Sequence, residues 1–452
     1  MTPRLNGRLT RTIGGILAVA LATGCTDFLK ASNPSAIQAD DLANPLYINL
    51  MVNGVIGEYQ QVIDDLDLRS GVFGDELFNN HGFFEEREID KRNVIPENGT
   101  YPLVIYVPLQ RARFLADSVA GRLKTLLGDS ASKDLRVARV LAYAGSSYDL
   151  LAENLCSIPV NGSAPYTPEE TISKFAIPRL NEAIAVATAY KAATTNTALQ
   201  AAADSVINFA KLTAARSLLF VNDKAGARAF AVQVPATFEF RAYYSAQNAR
   251  ENNAFQNAAV GSPWVSMEPK NKRLNDPRVP HLVTPSGVQS LAAGNADTVT
   301  INGVRTIGAF IPKSTLMHST YDGTTTGAVY TLGPNYIRIA TYLEAQYIIA
   351  EADGPVASTL TFVNSRRAVG GQTAVTLAGA ALMDELREQR RRDFFLDGHR
   401  LGDMRRYLKY DKIDNFPRGP YPGSISGEQF NDATCWPLPL SEIAGNPNVP
   451  RG

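Results

Sequence analysis

The sequence predicts a mostly α fold: helix pairs stacked into a scaffold, with long irregular loops and minor short β elements. Three observations predict it. Apolar residues recur at spacings of three and four through 100–233, the mark of helices with one buried face. The stretch 234–335 turns to Gly, Thr, Asn and Pro with short β-prone runs, and helical periodicity resumes after it.

In chain order, Leu46 to Leu66 reads as a helix, with Leu50, Ile56 and Ile63 among small residues. Residues 67–99 mix Phe73, Phe78, Phe83 and Phe84 with Asn, Gly and acids and show no clean period, a loop composition. From 100 the helices are regular. One carries Ala112, Leu115, Val119, Leu123 and Leu126, and the next Leu135, Ala138, Leu141, Gly145, Tyr148, Ala152 and Leu155. Thr167-Pro168-Glu169-Glu170 is a capping box that opens a helix through Ile172, Leu180 and Ile184, kinked at Pro178. A further pair covers 204–220 and 223–233, and Gly145, Ala214 and Ala229 are small enough for neighbouring helices to approach. Ala144-Gly145 and Tyr148 match part of the tetratricopeptide pattern, although no strict period of about 34 residues survives.

With 44 basic and 44 acidic residues in 452, the formal charge is zero, so neither nucleic acid nor an acidic membrane surface is implied. A hydrophobic share of 45% supports a large core, in two or three domains or in one helical unit. The first residues read as an address. Arg4, Arg8 and Arg11 precede a short apolar run from Ile13 to Leu21, and Leu21-Ala22-Thr23-Gly24-Cys25 reads as a lipobox. Cleavage would leave 428 residues of net charge −3, acylated on Cys25. Residues 25–45 then form a polar tether. Cys156 and Cys435 carry no metal-ligand spacing and read as two free buried thiols, with a disulfide between them left open.

The most informative stretch is 381–410. Leu382, Leu386, Phe394 and Phe395 lie near one face, Asp384, Arg387, Glu388 and Arg391 point outward, and Asp397-Gly398 breaks the helix. A second short helix carries Arg400, Asp403 and Arg406. Seven arginines between 387 and 406 alternate with four acids, which argues against a nucleic-acid surface. An anion clamp of arginine forks remains open beside a salt-bridged scaffold in which Asp393, Asp397 and Asp403 neutralise arginines; the scaffold is the preferred reading.

RRRDFFLDGHRLGDMRRY (390–407) resembles the C-terminal signature of the SusD/RagB family, through Arg390 to Arg392, Asp393, Asp397 to Arg400, Asp403 and Arg406-Tyr407. Gln389 stands where the family has Glu, and Tyr407 where it has Trp. Asp276-Pro277-Arg278, a helix over 336–352, Asn364 with Arg366, Arg367 and Ala368, and Trp436 to Pro447 resemble further family elements, as does Cys25 to Leu29. The resemblance implies a SusD-like fold built on degenerate tetratricopeptide-like helix pairs. It divides the chain into a lipoprotein signal peptide (1–24), the anchored tether (25–45), an N-terminal helical region (46–233), a loop-rich ligand side (234–335) and a C-terminal region (336–452). It also implies an outer-membrane, surface-facing lipoprotein that binds glycan or a similar polymeric nutrient and works with a SusC-like TonB-dependent transporter.

No phosphate loop, nucleophile elbow, HExxH or Cys/His cluster nominates catalysis, a cofactor or a metal, and His81, His281, His318 and His399 are scattered. A binding protein is therefore expected, the alternative being a lipid-anchored helical-repeat scaffold for proteins or peptides. Sugar rings want flat aromatics beside polar groups. Aromatics on regular helices, such as Tyr148 and Tyr347, read as core. Loop aromatics have no packing period to explain them, so Phe83 and Phe84, and Tyr243 and Tyr244 with Trp264, are the ligand-binding candidates.

Overall fold

The computed structural model describes residues 41–79, 83–244, 251, 253–254, 265–268, 270–271, 274, 276–279, 281–285, 297–301, 304–312, 317–318, 335–422 and 427–450, with the backbone alone at 41, 281–285, 297–301, 304–312, 317–318 and 335. Residues 1–48 form one unit, of which the described part holds two single-turn helices, Asp41–Ala43 and Pro45–Tyr47, the latter capped by the Asn44 side chain. Residues 49–452 form a second compact unit.

Helix α1 (Ile48–Phe73) leads into β1 (Leu77–Asn79) and the short α2 (Phe84–Asp90). Within the expected loop over 67–99, the described residues 67–79 and 83–99 are largely regular and buried, a correction to the composition-based reading. Its polar residues face partners supplied from the other end of the chain, so no local apolar period was needed to bury them.

Four helices follow in antiparallel succession: α3 (Val107–Leu127), α4 (Leu135–Asn154), α5 (Ile177–Ala192) and α6 (Thr197–Phe220), then α7 (Lys224–Ala231). The capping box forms, with Thr167 and Glu170 each accepting the other's backbone N–H. Both prolines inside helical periods are handled in the same way. A π turn, Pro102–Tyr106 before Pro108 and Ile172–Ala176 before Pro178, shifts the hydrogen-bond register where a proline ring would strike a carbonyl. Gly145 is required where α4 meets α5, because a Cβ there would lie 2.5 Å from Leu180 Cγ. Ala214 is buried, but Ala229 is exposed; Ala227 and Ala231 form the inner face of α7, one helical turn apart.

Helix α4 is the centre of the unit, with nearly every residue from Val137 to Asn154 buried, polar ones included. Several of these bond to groups brought in across the fold. Ser146 pairs with the Tyr59 hydroxyl at 2.6 Å, Ser217 donates to Asp149 at 2.6 Å, and Ser70 donates to Asn154 at 2.9 Å.

Among the described residues, three small sheets complete the unit: β1–β3; β2–β8–β7; and β4–β6–β5. They use β2 (Glu239–Tyr244), β3 (Val265–Met267), β4 (His281–Pro285), β5 (Asp297–Ile301), β6 (Val304–Pro312), β7 (Met317–His318) and β8 (Asn335–Thr341). Residues 336–341, expected to begin a helix, are strand, because Ile337 and Ile339 alternate with polar or aromatic residues at a period of two. Helices α8 (Tyr342–Asp353), α9 (Ala357–Val369) and α10 (Gly379–Asp393) then share a core of Tyr347, Ala350, Val363, Leu382, Leu386 and Phe394. Helix α11 (Arg400–Arg406) and α12 (Leu440–Gly445) end the chain's regular structure.

Cys156 and Cys435 are joined in a disulfide, which corrects the expectation of two free thiols; their Cα atoms lie 5.1 Å apart. Beside it the Trp436 backbone bonds to Asn154 and Cys156, and its ring is fully buried, with Phe73 at 4.8 Å and Tyr101 at 5.7 Å. Arg92, with a left-handed φ of 57°, is fully buried as well; it donates to the carbonyls of Ala433 and Pro417 and lies over the Phe416 ring.

Candidate ligand-binding surface and its buried support

Helix α10 stops at Asp393, and the chain reverses through Leu396 (φ 62°) and Gly398 (φ 80°), two left-handed residues. The Asp397 carboxylate accepts the His399 N–H at 2.9 Å, and α11 begins at the next residue. Arg391 does not point outward as its helical position suggested. It is buried, donating to Glu388 at 2.8 and 2.9 Å and to Asn271 at 2.6 Å.

The other charges of the motif reach across the fold. Arg400 grips Asp75 with two bonds of 2.7 and 2.6 Å, and Arg366 grips Asp393 with two of 2.7 Å. Asp403 lies between Arg390 at 2.6 Å and Arg406 at 2.9 Å, and Arg406 also pairs with Glu351. Arg278 pairs with Asp276, accepts no charge from Gln389 but donates to its Oε1 at 2.8 Å, and approaches Asp393 to 3.3 Å. Burial opposes ionisation of Asp403, yet Arg390 and Arg406 hold its carboxyl below the usual range. Bidentate arginine forks of this kind fix orientation as well as charge.

Asp397 departs from the expected role, since among the described residues no arginine bonds to it; burial pushes its carboxyl up to about 6. It belongs to a group of acids beneath the reversal. Burial raises Asp64 and Glu76 to about 8 each, and raises Asp67 well above its ordinary value with the charges of Glu76, Asp397 and Asp64 adding to the effect. Perturbed carboxyls mark catalytic sites when they face a cleft, but Asp64, Asp67 and Glu76 are enclosed.

Glu76 gives a pH prediction. Its carboxyl moves from 4.5 in the unfolded chain to about 8, so its contribution is fully present below pH 4.5 and is lost as pH rises toward 8. Gln at this position keeps the acceptor for the Leu396 N–H, 2.8 Å away, and carries no proton to lose. Glu76→Gln is expected to be near neutral at pH 4.5 and to stabilise by on the order of 1–3 kcal/mol at pH 8. Urea melts at both pH values check it, and an equal difference at the two would contradict the assignment.

The outward-facing aromatics lie apart from this network. Phe83 and Phe84 open α2 with 59% and 68% of their surface exposed. The helix cannot easily turn them inward, because its other faces are clamped. Glu86 pairs with Arg69 at 3.0 Å, Arg87 and Lys91 pair with Glu428, and Asp90 accepts the Asn79 N–H and the Tyr421 hydroxyl at 2.7 Å each. The antiparallel β1–β3 register sets Asn79 opposite Val265. The chain therefore leaves β1 toward Phe83 at the end where it enters β3. Trp264, the residue before Val265, lies outside the described residues, as does His81.

Tyr243 is 56% exposed, on the face of β2 that also carries Glu239 and Arg241; its ring lies 6.1 Å from Tyr336, which Arg241 covers at 4.1 Å. Tyr244 is corrected from platform to core. Alternation along the strand turns it inward, and its hydroxyl donates to the Gln60 carbonyl at 2.8 Å.

No family model matches the chain, and no curated protein does. Solved structures do. A SusD superfamily protein from Bacteroides vulgatus matches with a TM-score of 0.63 at 12% identity, over 90% of this chain and 98% of that one. The chain has the SusD-like fold. A SusD-like carbohydrate binding protein from the same organism matches with a TM-score of 0.58 at 12% identity, over 89% and 96% of the two chains. A laminarin binding SusD-like protein matches with 0.52 at 12% identity, over 90% and 98%.

Within this SusD-like fold the elements singled out in the sequence converge on one buried assembly. Asp276 and Arg278 meet Arg392 and Gln389, while Arg366 meets Asp393. Gln389 serves in place of a carboxylate by accepting from Arg278 and donating to Gln372 and Glu385 at 2.8 and 2.7 Å. Glu388 instead pairs with both Arg391 and Arg392. Sequence reasoning missed Asp75, Glu76, Glu153 and Asn271. The available signal was the run of acids from Asp64 to Asp90 in a segment without a period, since unpaired acids so dense need cations from elsewhere.

Proposed function

We propose that this protein is a surface lipoprotein of the outer membrane that captures a glycan and passes it to a SusC-like TonB-dependent transporter, binding without catalysis. The observation that carries the binding role is the pair of exposed phenylalanines, Phe83 and Phe84, held outward by a clamped helix. Adjacent exposed aromatics offer the apolar face that sugar rings stack on. The shared fold supports the same reading, since structures of that fold include proteins named for carbohydrate and laminarin binding. Tyr243, exposed beside Arg241, and Trp264, immediately before the start of β3, are the further platform candidates.

Phe83→Ala/Phe84→Ala is expected to weaken binding of a laminarin-type β-glucan at least tenfold, with a melting temperature within a degree or two of the parent, because neither ring is part of the core. Affinity electrophoresis and thermal melts measure the two. Undiminished retardation of the double variant in the glucan gel would remove these rings from the site.

Anchoring has its own test. Among the described residues no helix is long and apolar enough to cross a membrane. Acyl chains on Cys25, each buried CH₂ contributing about 0.8 kcal/mol, would then supply the attachment. Cys25→Ser is expected to move the protein from the detergent phase to the aqueous phase on phase partitioning. Retention in the detergent phase would rule out Cys25 as the attachment point.

A further inference from the structure

Against the outer face of α10 lies a cleft of about 810 Å³, far from neutral in its layout. That volume falls within the range of small-molecule sites, roughly 300–1,000 Å³. One part of its lining is cationic. Lys270 and Arg400 share the single buried carboxylate of Asp75, and Arg391 shares Glu388 with Arg392. Donors remain there. Arg400 bonds Asp75 through Nε and Nη2, and Nη1 has no partner among the described residues. Lys270 has three donors, one carboxylate and a side chain 44% exposed.

Another part of the lining has the opposite sign. Arg387 is outnumbered by Asp384 and Asp411, at 2.9 Å each, and Asp384 is 63% exposed. Met383 and Ile413, next to Asp384 and near Asp411 in the chain, add apolar surface to the lining. A ligand matching this lining carries one negative charge for the cations, hydroxyl donors for the acids and an apolar face for Met383 and Ile413. A dianionic phosphate would meet the two lining carboxylates with like charge, and a neutral sugar would leave the Lys270 and Arg400 donors unused.

We infer that the cleft is a binding site for a uronic-acid saccharide, its carboxylate seated between Lys270 and Arg400 and its hydroxyls donating to Asp384 and Asp411. This rests on the saccharide reading above and names a second site with a different ligand class, separate from the phenylalanine platform.

The test is isothermal titration of the full chain with a galacturonic-acid disaccharide, the matching galactose disaccharide and sodium sulfate. Saturable binding of the uronate is expected, with at least tenfold weaker binding of the other two. Lys270→Ala removes a half-exposed cation while Arg400 still holds Asp75, so the fold should be kept; a tenfold or greater loss of uronate affinity is expected. Ala380→Trp, which fills the cleft from its exposed rim, should abolish the heat. Equal affinity for the neutral disaccharide or for sulfate, unchanged binding by Lys270→Ala, or absence of saturable uronate binding overturns the proposal. The Phe83→Ala/Phe84→Ala variant separates the two sites: it should keep uronate binding while losing β-glucan, and the Lys270→Ala variant should do the reverse.

Discussion

Arg400→Ala is expected to cost about 3–5 kcal/mol, the usual penalty for removing one partner of a buried ion pair. Asp75 has no exposed surface, and Arg400 supplies two of its bonds, with Lys270 supplying one other. Burial opposes ionisation of Asp75, and Arg400, Lys270 and Arg391 together hold its carboxyl far below the ordinary range. Truncating the fork leaves much of that charge uncompensated in the interior. Asp75→Asn in the Arg400→Ala background should recover part of the loss, since the stranded charge is then gone. Asp397→Asn is the contrasting variant from the same motif. Its oxygen still accepts the His399 N–H and no arginine loses a partner, so less than about 1 kcal/mol is expected. Urea denaturation of the variants measures the differences. Arg400→Ala melting like its parent would mean that the pair with Asp75 does not hold this corner together.

Removing the Cys156–Cys435 disulfide should have an effect of the same size. The bridge closes a loop of 279 residues, and cross-links of long loops contribute about 3–5 kcal/mol when native geometry is undistorted. It also fixes the tail on which Trp436 enters the core between Phe73 and Tyr101. Cys156 is exposed, so a thiol reductant reaches the bond without prior unfolding. Melting with and without dithiothreitol, and of Cys156→Ser/Cys435→Ser, should show the same large drop in Tm; no shift in either would assign the tail's docking to Trp436 and Arg92 alone. Disulfides persist in oxidising compartments, as the proposed location outside the cytoplasm requires.

The helices α3 to α7 and the capping box at Thr167 were legible because their causes are local. An apolar stripe repeats every three or four residues, and a cap acts over three. The corner after Asp393 was legible for the same reason, through Gly398 and the density of alternating charge. The sequence by itself therefore determined a helical-pair scaffold, its reversal points and the charged motif that closes it. Only the tertiary structure decided which charges meet. Arg400 and Asp75 are 325 positions apart, and Arg92 reaches carbonyls 325 and 341 positions away. No periodicity encodes such pairs; they exist because helix packing brings two chain ends together around α4. The same packing buried most of 67–79 and 85–92, joined Cys156 to Cys435, and left Phe83, Phe84 and Tyr243 facing solvent while Tyr244 turned inward. Burial belongs to the assembled surface and not to the residue type, so an aromatic's side of that surface is set only when its neighbours arrive.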